Sequence, residues 1–165
     1  MPALPTLPRL ARMLALAGIA LHLSLAALGN VVDYGTNQAF VQHVLSMDTT
    51  FGKPALMGRA ITDPAVQHLA YLAIIAAETL GALLLWAGLV RLWLARAAPA
   101  EAWQAAKGLA IFALVWAFSI WVVGFIAIGG EWFAMWQSEQ WNGQAAATRF
   151  ATVTGLVLLF VAQRD

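Results

Sequence analysis

Cysteine is absent from this chain of 165 residues, which excludes disulfides, thiolate nucleophiles and cysteine-ligated metal. Charge is scarce: Asp, Glu, Lys and Arg make up 10% of the sequence, against about 25% in a typical soluble domain. That leaves too little polar surface for a particle surrounded by water. Nor is there a Walker loop, a G-x-S-x-G elbow, an H-E-x-x-H pair or a dinucleotide fingerprint. No basic patch suited to nucleic acid is present, and nothing points to a soluble second domain.

The chain is 62% hydrophobic with a mean hydropathy of +0.76. Four apolar runs stand out, at about 10–32, 69–93, 108–130 and 145–162. Each approaches the roughly 20 residues that cross a ~30 Å hydrocarbon core as a helix. None alternates polar and apolar residues as a barrel strand does, and backbone groups in lipid must be satisfied within their own segment. The expected fold is all-α: one integral membrane domain over 1–165, a four-helix bundle carrying short outward-facing interfacial helices.

Orientation follows from the basic residues. Arg9, Arg12, Arg91, Arg96, Lys107 and Arg164 flank one set of helix ends, and Lys53, Arg59 and Arg149 flank the other. The positive-inside bias places both termini in the cytoplasm and segments 33–68 and 131–144 outside. A competing reading takes Arg9, Arg12, the first apolar run and Ser24-Leu25-Ala26 as a signal peptide, but the run is long for one.

The outward segments carry their own patterns. Phe40, Val44, Met47 and Phe51 recur at helical spacing, predicting a short amphipathic helix with Asn37, Gln38 and His43 off the stripe. Such a helix lies on the membrane or caps the bundle. Trp132 and Trp136 are one helical turn apart, as in an interfacial aromatic belt or, on a sharper reading, a platform for a ligand or partner. On the second run, Ala73, Ala77 and Gly81 form a small-residue stripe that admits another helix.

Ionisable groups inside a bilayer are costly and so mark candidate sites. His22 lies about 18 Å from the inner end of the first run and Glu78 about 14 Å from the outer end of the second, so both are expected near mid-membrane. Ser24, Thr79, Ser119, Thr152 and Thr154 fall in a similar layer and are expected to point inward. The layer reads as a structural hydrogen-bonded pair, as a proton or small-ligand site, or, least readily, as a haem site. His22 and His68 match poorly in depth as axial ligands. The acids Asp33, Asp48, Asp63, Glu131 and Glu139 with His43 and His68 match no compact metal motif. Ion pairing of Glu131 with Arg59 or Arg149 is the expected use of those charges.

Several strings resemble a known family. They are Asp33-Tyr34, Asn37, Phe40-Val41, His43 to Thr50, Arg59-Ala60-Ile61, Tyr71, Glu78, Gly129 to Ser138 and Trp141-Asn142-Gly143. The chain is similar over nearly its whole length to predicted small integral membrane proteins, domain of unknown function 2165. The resemblance implies a bacterial inner-membrane protein with four helices and implies no activity. Because the shared strings lie mostly on the outward face, His43, Asp48, Arg59, Glu131, Trp132 and Trp136 are expected to form a mouth above His22 and Glu78. Two functional classes follow. The leading one is a non-catalytic membrane subunit or assembly protein, contacting lipid and a membrane-protein partner or a second copy of itself. The other is a binder or carrier of a quinone, lipid or proton. The reading leans away from an enzyme and predicts no metal or other cofactor.

Overall fold

A computed structural model describes residues 6–164. Helix α1 spans Leu7–Val32, α2 Tyr34–Ser46, α3 Pro54–Met57, α4 Pro64–Ala95, α5 Ala100–Ala106, α6 Gly108–Ser119 and α7 Gln144–Ala162. Between α6 and α7 the backbone continues as a π-helical segment, Ile120–Trp132, and a 3₁₀ turn, Met135–Gln137. No strand occurs among the described residues. Four stretches are long and apolar enough to cross a membrane: α1, α4, the continuous Ala100–Trp132 and α7.

The helices close a ring. α4 packs on α1 and α6, and α7 packs on α6, the π segment and α1. Leu16, Ala20, Leu23, Leu85, Leu92, Ala110, Ala113, Leu114 and Val161 are sealed inside it. The run that could be read as a signal peptide is α1, which supplies three of these core residues. Large apolar side chains such as Leu14, Leu21, Leu83, Val90, Phe112 and Leu159 face outward instead. An apolar perimeter of that extent suits contact with acyl chains.

Close approach is set by glycine. A Cβ on Gly88 would lie 2.9 Å from the Ala110 Cα, so α4 and α6 touch backbone to backbone there. A Cβ on Gly81 would lie 2.7 Å from Leu23 Cδ2 and 2.9 Å from Trp116 Cδ1. The Gly81 end of the small-residue stripe is therefore used within the bundle and not by a further helix. Trp116 Nε1 donates to the Ala77 carbonyl at 2.9 Å, and Trp86 Nε1 to Ser24 Oγ at 3.0 Å, tying α6 and α1 to α4.

Charge is concentrated at the end formed by the start of α1 and the end of α4. Arg9, Arg12 and Lys107 are all buried. Arg9 Nη1 donates to the Arg96 and Ala98 carbonyls, just past the C-terminus of α4. Arg12 reaches the carbonyls of Phe160 and Arg164, and Lys107 Nζ that of Gln163 at 2.6 Å, all at the end of α7. The last carbonyls of a helix lack intrahelical donors and carry its negative dipole end, so cations belong there. Arg9 and Lys107 also flank the Trp103 ring, at 5.0 and 5.8 Å.

The opposite end is a small folded cap. α2 turns back from α1 at a single residue, Asp33, and buries Val41 and Leu45 with Met47, Tyr71, Phe133 and Ala134. The stripe predicted for this helix ends early: Met47 adopts a left-handed conformation (φ 55°), so Phe51 lies beyond the helix and packs edge-on against Trp136. Ala134 (φ 52°) breaks the chain in the same way, so Trp132 and Trp136 do not share one helix. The cap is laced by Ile61 N to the Leu45 carbonyl, Phe51 N to Gln137 Oε1 and Thr49 Oγ1 to Ser138 Oγ.

Candidate functional site

Under the cap, five elements surround a chamber of about 370 Å³: α1, α2, α4, the π segment and α7. Its walls include Leu25, Phe40, Ile74, Trp121, Phe125 and Phe150, and its polar groups are Asn30, Asn37, Tyr71 and Glu78. Glu78 is 2% exposed. Its Oε2 accepts a 2.6 Å hydrogen bond from Asn30 Nδ2. The Asn30 carbonyl in turn accepts from Tyr71 Oη at 2.6 Å. Because only the amide nitrogen can donate to a carboxyl oxygen, the Asn30 Oδ1 points away from Glu78. Among the described residues Glu78 Oε1 has no partner, and no Lys, Arg or His pairs with the group.

His22 belongs to a different layer. Leu23 lies level with Gly81, so with antiparallel helices Glu78 sits opposite position 26, about 6 Å further along α1 than His22. The His22 ring packs on Phe150 at 4.2 Å and Trp121 at 5.9 Å, two rings that also line the chamber. No hydrogen bond joins His22 to Glu78, and the buried His22 Nε2 has no partner among the described residues. The direct pair expected from matching depth is replaced by Asn30–Glu78, with His22 one aromatic layer below.

The remaining polar layer is also looser than expected. Thr154 is buried, but Thr79 and Thr152 are exposed. Thr152 and Ser119 return their hydroxyl protons to the carbonyls of Thr148 and Val115, one turn back on their own helices. That local bond lets a hydroxyl face lipid without a partner across the bundle.

The six residues expected at a mouth separate into groups. His43 Nδ1 lies 2.8 Å from Asp48 Oδ2, and the imidazole stacks on Trp141 at 4.5 Å. Arg59 donates to the Trp132 carbonyl and sits 4.7 Å over the Trp132 ring. Trp136 contacts Phe51. Glu131 is exposed, and neither Arg59 nor Arg149 pairs with it within 4.0 Å, contrary to the ion pair expected. Arg59 has spent its guanidinium on Trp132 instead. None of the six lines the chamber. His68 Nδ1 lies 3.2 Å from both Tyr34 Oη and Gln38 Nε2, inside the cap. Among the described residues no three His, Asp or Glu side chains gather as metal ligands.

A second cavity of about 360 Å³ adjoins the first, between α2, α4 and the π segment. Every lining residue is apolar or glycine, and Phe40, Val41, Ile74 and Phe125 line both cavities. Ala73 and Ala77 on α4 and Gly124 and Gly129 on the π segment make the space by their small size.

The family model for predicted small integral membrane proteins, domain of unknown function 2165, matches residues 8–164. The chain belongs to that family. No curated protein and no solved structure matches it. This member of the family is thus an integral membrane protein in contact with lipid, with four candidate spans.

Sequence reasoning reached Glu78 but missed Asn30, Trp121 and Phe150. Asn30 carried a usable signal: His22, Ala26 and Asn30 repeat every fourth residue, on one face of α1. Tyr71, Ile74 and Glu78 show the matching i, i+3, i+7 pattern on α4.

Proposed function

We propose that this protein is a non-catalytic binder of a small amphiphilic molecule, held in the chamber beside Glu78. One observation carries the reading: a nearly inaccessible carboxyl group faces a cavity with one of its oxygens unused. Leaving a buried polar atom without a partner costs up to about 1–3 kcal/mol, and an occupant that bonds to Oε1 would offset such a cost. The volume lies at the lower end of the ~300–1,000 Å³ of small-molecule sites, and an apolar wall with a few convergent polar groups is their usual form. The π segment supports the same reading, because i→i+5 turns are rare and cluster at functional sites. Its last bond, Phe133 N to the Ile128 carbonyl at 3.0 Å, lies beside Phe133 and Ile128, which both line the adjoining cavity.

Concentration of basic residues at the α1–α4 end supports both termini in the cytoplasm and the cap outside, and the family resemblance favours a bacterial inner membrane. A partner-docking role has less support. Trp132 and Trp136, 54% and 50% exposed, also suit a headgroup belt.

Native mass spectrometry of protein released from mild detergent tests the binding. The wild type should carry a small-molecule adduct that Glu78→Gln loses. Gly29→Phe should lose it too, since Gly29 lines the chamber and a Cβ there meets nothing within 4 Å. A wild type without adduct, or an adduct indifferent to both substitutions, overturns the proposal.

A further inference from the structure

The two adjoining cavities differ in chemistry, and that difference specifies the occupant. Around Glu78 each neighbouring donor group makes one bond. Tyr71 Oη donates to the Asn30 carbonyl, Asn30 Nδ2 to Glu78, and Asn37 Nδ2 to the Asp33 carbonyl at 3.1 Å. With Glu78 ionised, what remains on these groups is acceptor capacity at Glu78 Oε1, Asn30 Oδ1 and Asn37 Oδ1, beside the second N–H of each amide. The second cavity offers no polar side chain, only a slot between small residues of α4 and the π segment. Shared side chains at Phe40, Val41, Ile74 and Phe125 make the slot continuous with the polar chamber.

Building on the binding role proposed above, we infer that the occupant is a single-chain amphiphile whose head donates hydrogen bonds, an alcohol or a primary amine, with its head on Glu78 Oε1 and its chain in the Ala73–Ala77–Gly124 slot. A hydrogen-bond donor completes the unused carboxyl oxygen, and a flexible chain suits an apolar cavity of about 360 Å³. A head offering acceptors alone, such as a quinone or an ester, leaves an ionised Glu78 unanswered.

Thermal unfolding of the full-length protein in mild detergent tests this with dodecanol, dodecylamine, methyl dodecanoate and dodecanoate, since a ligand that binds only the folded state raises the midpoint. Dodecanol or dodecylamine should raise it, and the two acceptor-headed probes should not. Glu78→Gln removes the acidic acceptor while keeping the side chain's shape, and should weaken binding of the donor-headed probe about tenfold. Gly124→Leu should weaken it as much, because a Cβ there meets nothing within 4 Å and the leucine enters the slot without straining the fold. In Gly124→Leu, butylamine or butanol should bind as it does to the wild type, since the head site is intact.

Methyl dodecanoate or dodecanoate binding as well as the donors, in a manner that depends on Glu78, overturns the inference and leaves the binding role standing. Donor-headed probes that depend on Glu78 but ignore Gly124→Leu also overturn it. If no probe binds in a Glu78-dependent way and the wild type carries no adduct, both readings fall.

Discussion

Gly88→Ala isolates what backbone contact contributes to this bundle. The added methyl would lie 2.9 Å from the Ala110 Cα, 3.1 Å from its nitrogen and 3.2 Å from its Cβ. Two of those three atoms are backbone and cannot rotate away. Restoring a carbon–carbon separation of about 3.5–4.0 Å requires α4 and α6 to part by roughly 0.6–1.1 Å. That movement loosens Leu85, Leu92, Ala113 and Leu114, all sealed in the same core. Overpacking of this kind costs about 1–3 kcal/mol. Helix propensity works the other way, since alanine is favoured over glycine by ~1 kcal/mol within a helix. Gly18→Ala supplies the control, because a Cβ at that exposed position of α1 meets nothing within 4 Å and receives only the propensity gain. The measurement is the difference in unfolding midpoint between the two variants in one detergent. Gly88→Ala should lie below Gly18→Ala by an amount corresponding to about 1–3 kcal/mol. Equal midpoints, or a more stable Gly88→Ala, would refute the claim that α4 and α6 meet at their backbones.

Other expected outcomes follow from single contacts. Asn30→Ala strips Glu78 Oε2 of its donor and should destabilise by about 1–3 kcal/mol, and the cost should shrink when Glu78→Leu is added, as a double-mutant cycle in urea or detergent will read. Lys107→Met keeps the apolar stem but leaves the Gln163 carbonyl and Gln104 Oε1 without their donor, so melting should fall by a similar amount. Asp63→Ala deletes the acceptor for Ala65 N and Val66 N at the start of α4 and should cost ~1 kcal/mol, with Asp63→Asn recovering most of it.

The four spans and the all-helical plan were legible because bilayer thickness imposes a length on any apolar run, whatever its packing. Glu78 was legible for a related reason: a carboxyl in such a run has to be accounted for. Its partner was not, because counting from the ends of two apolar runs does not fix the register of the helices. His22 shares a face of α1 with Asn30 but lies about one turn from the level of Glu78, and Asn30 reaches the carboxyl instead. The π segment left no mark in composition, since Ile120–Trp132 reads as an ordinary apolar helix with glycines. The early end of α2 was hidden for another reason. Met47 takes a left-handed conformation that non-glycine residues seldom adopt, so no residue type announced the stop. Arg9, Arg12 and Lys107 looked like topology markers alone. Their burial depends on carbonyls at the ends of α4 and α7, which no local pattern reveals.

Those three side chains have a mechanical consequence. They rivet the ends of two helices to α1 and α6 at one pole of the molecule, while the other pole is joined by short turns and side-chain bonds. Parting the helices at the riveted pole would break those charge-assisted bonds. Lateral breathing is therefore pushed to the far pole, like a clothes-peg sprung at its base, and it is there that a guest from the surrounding lipid would slip in. Amide hydrogen exchange should accordingly be faster in α2 and the 133–143 connection than in the last turns of α4 and α7.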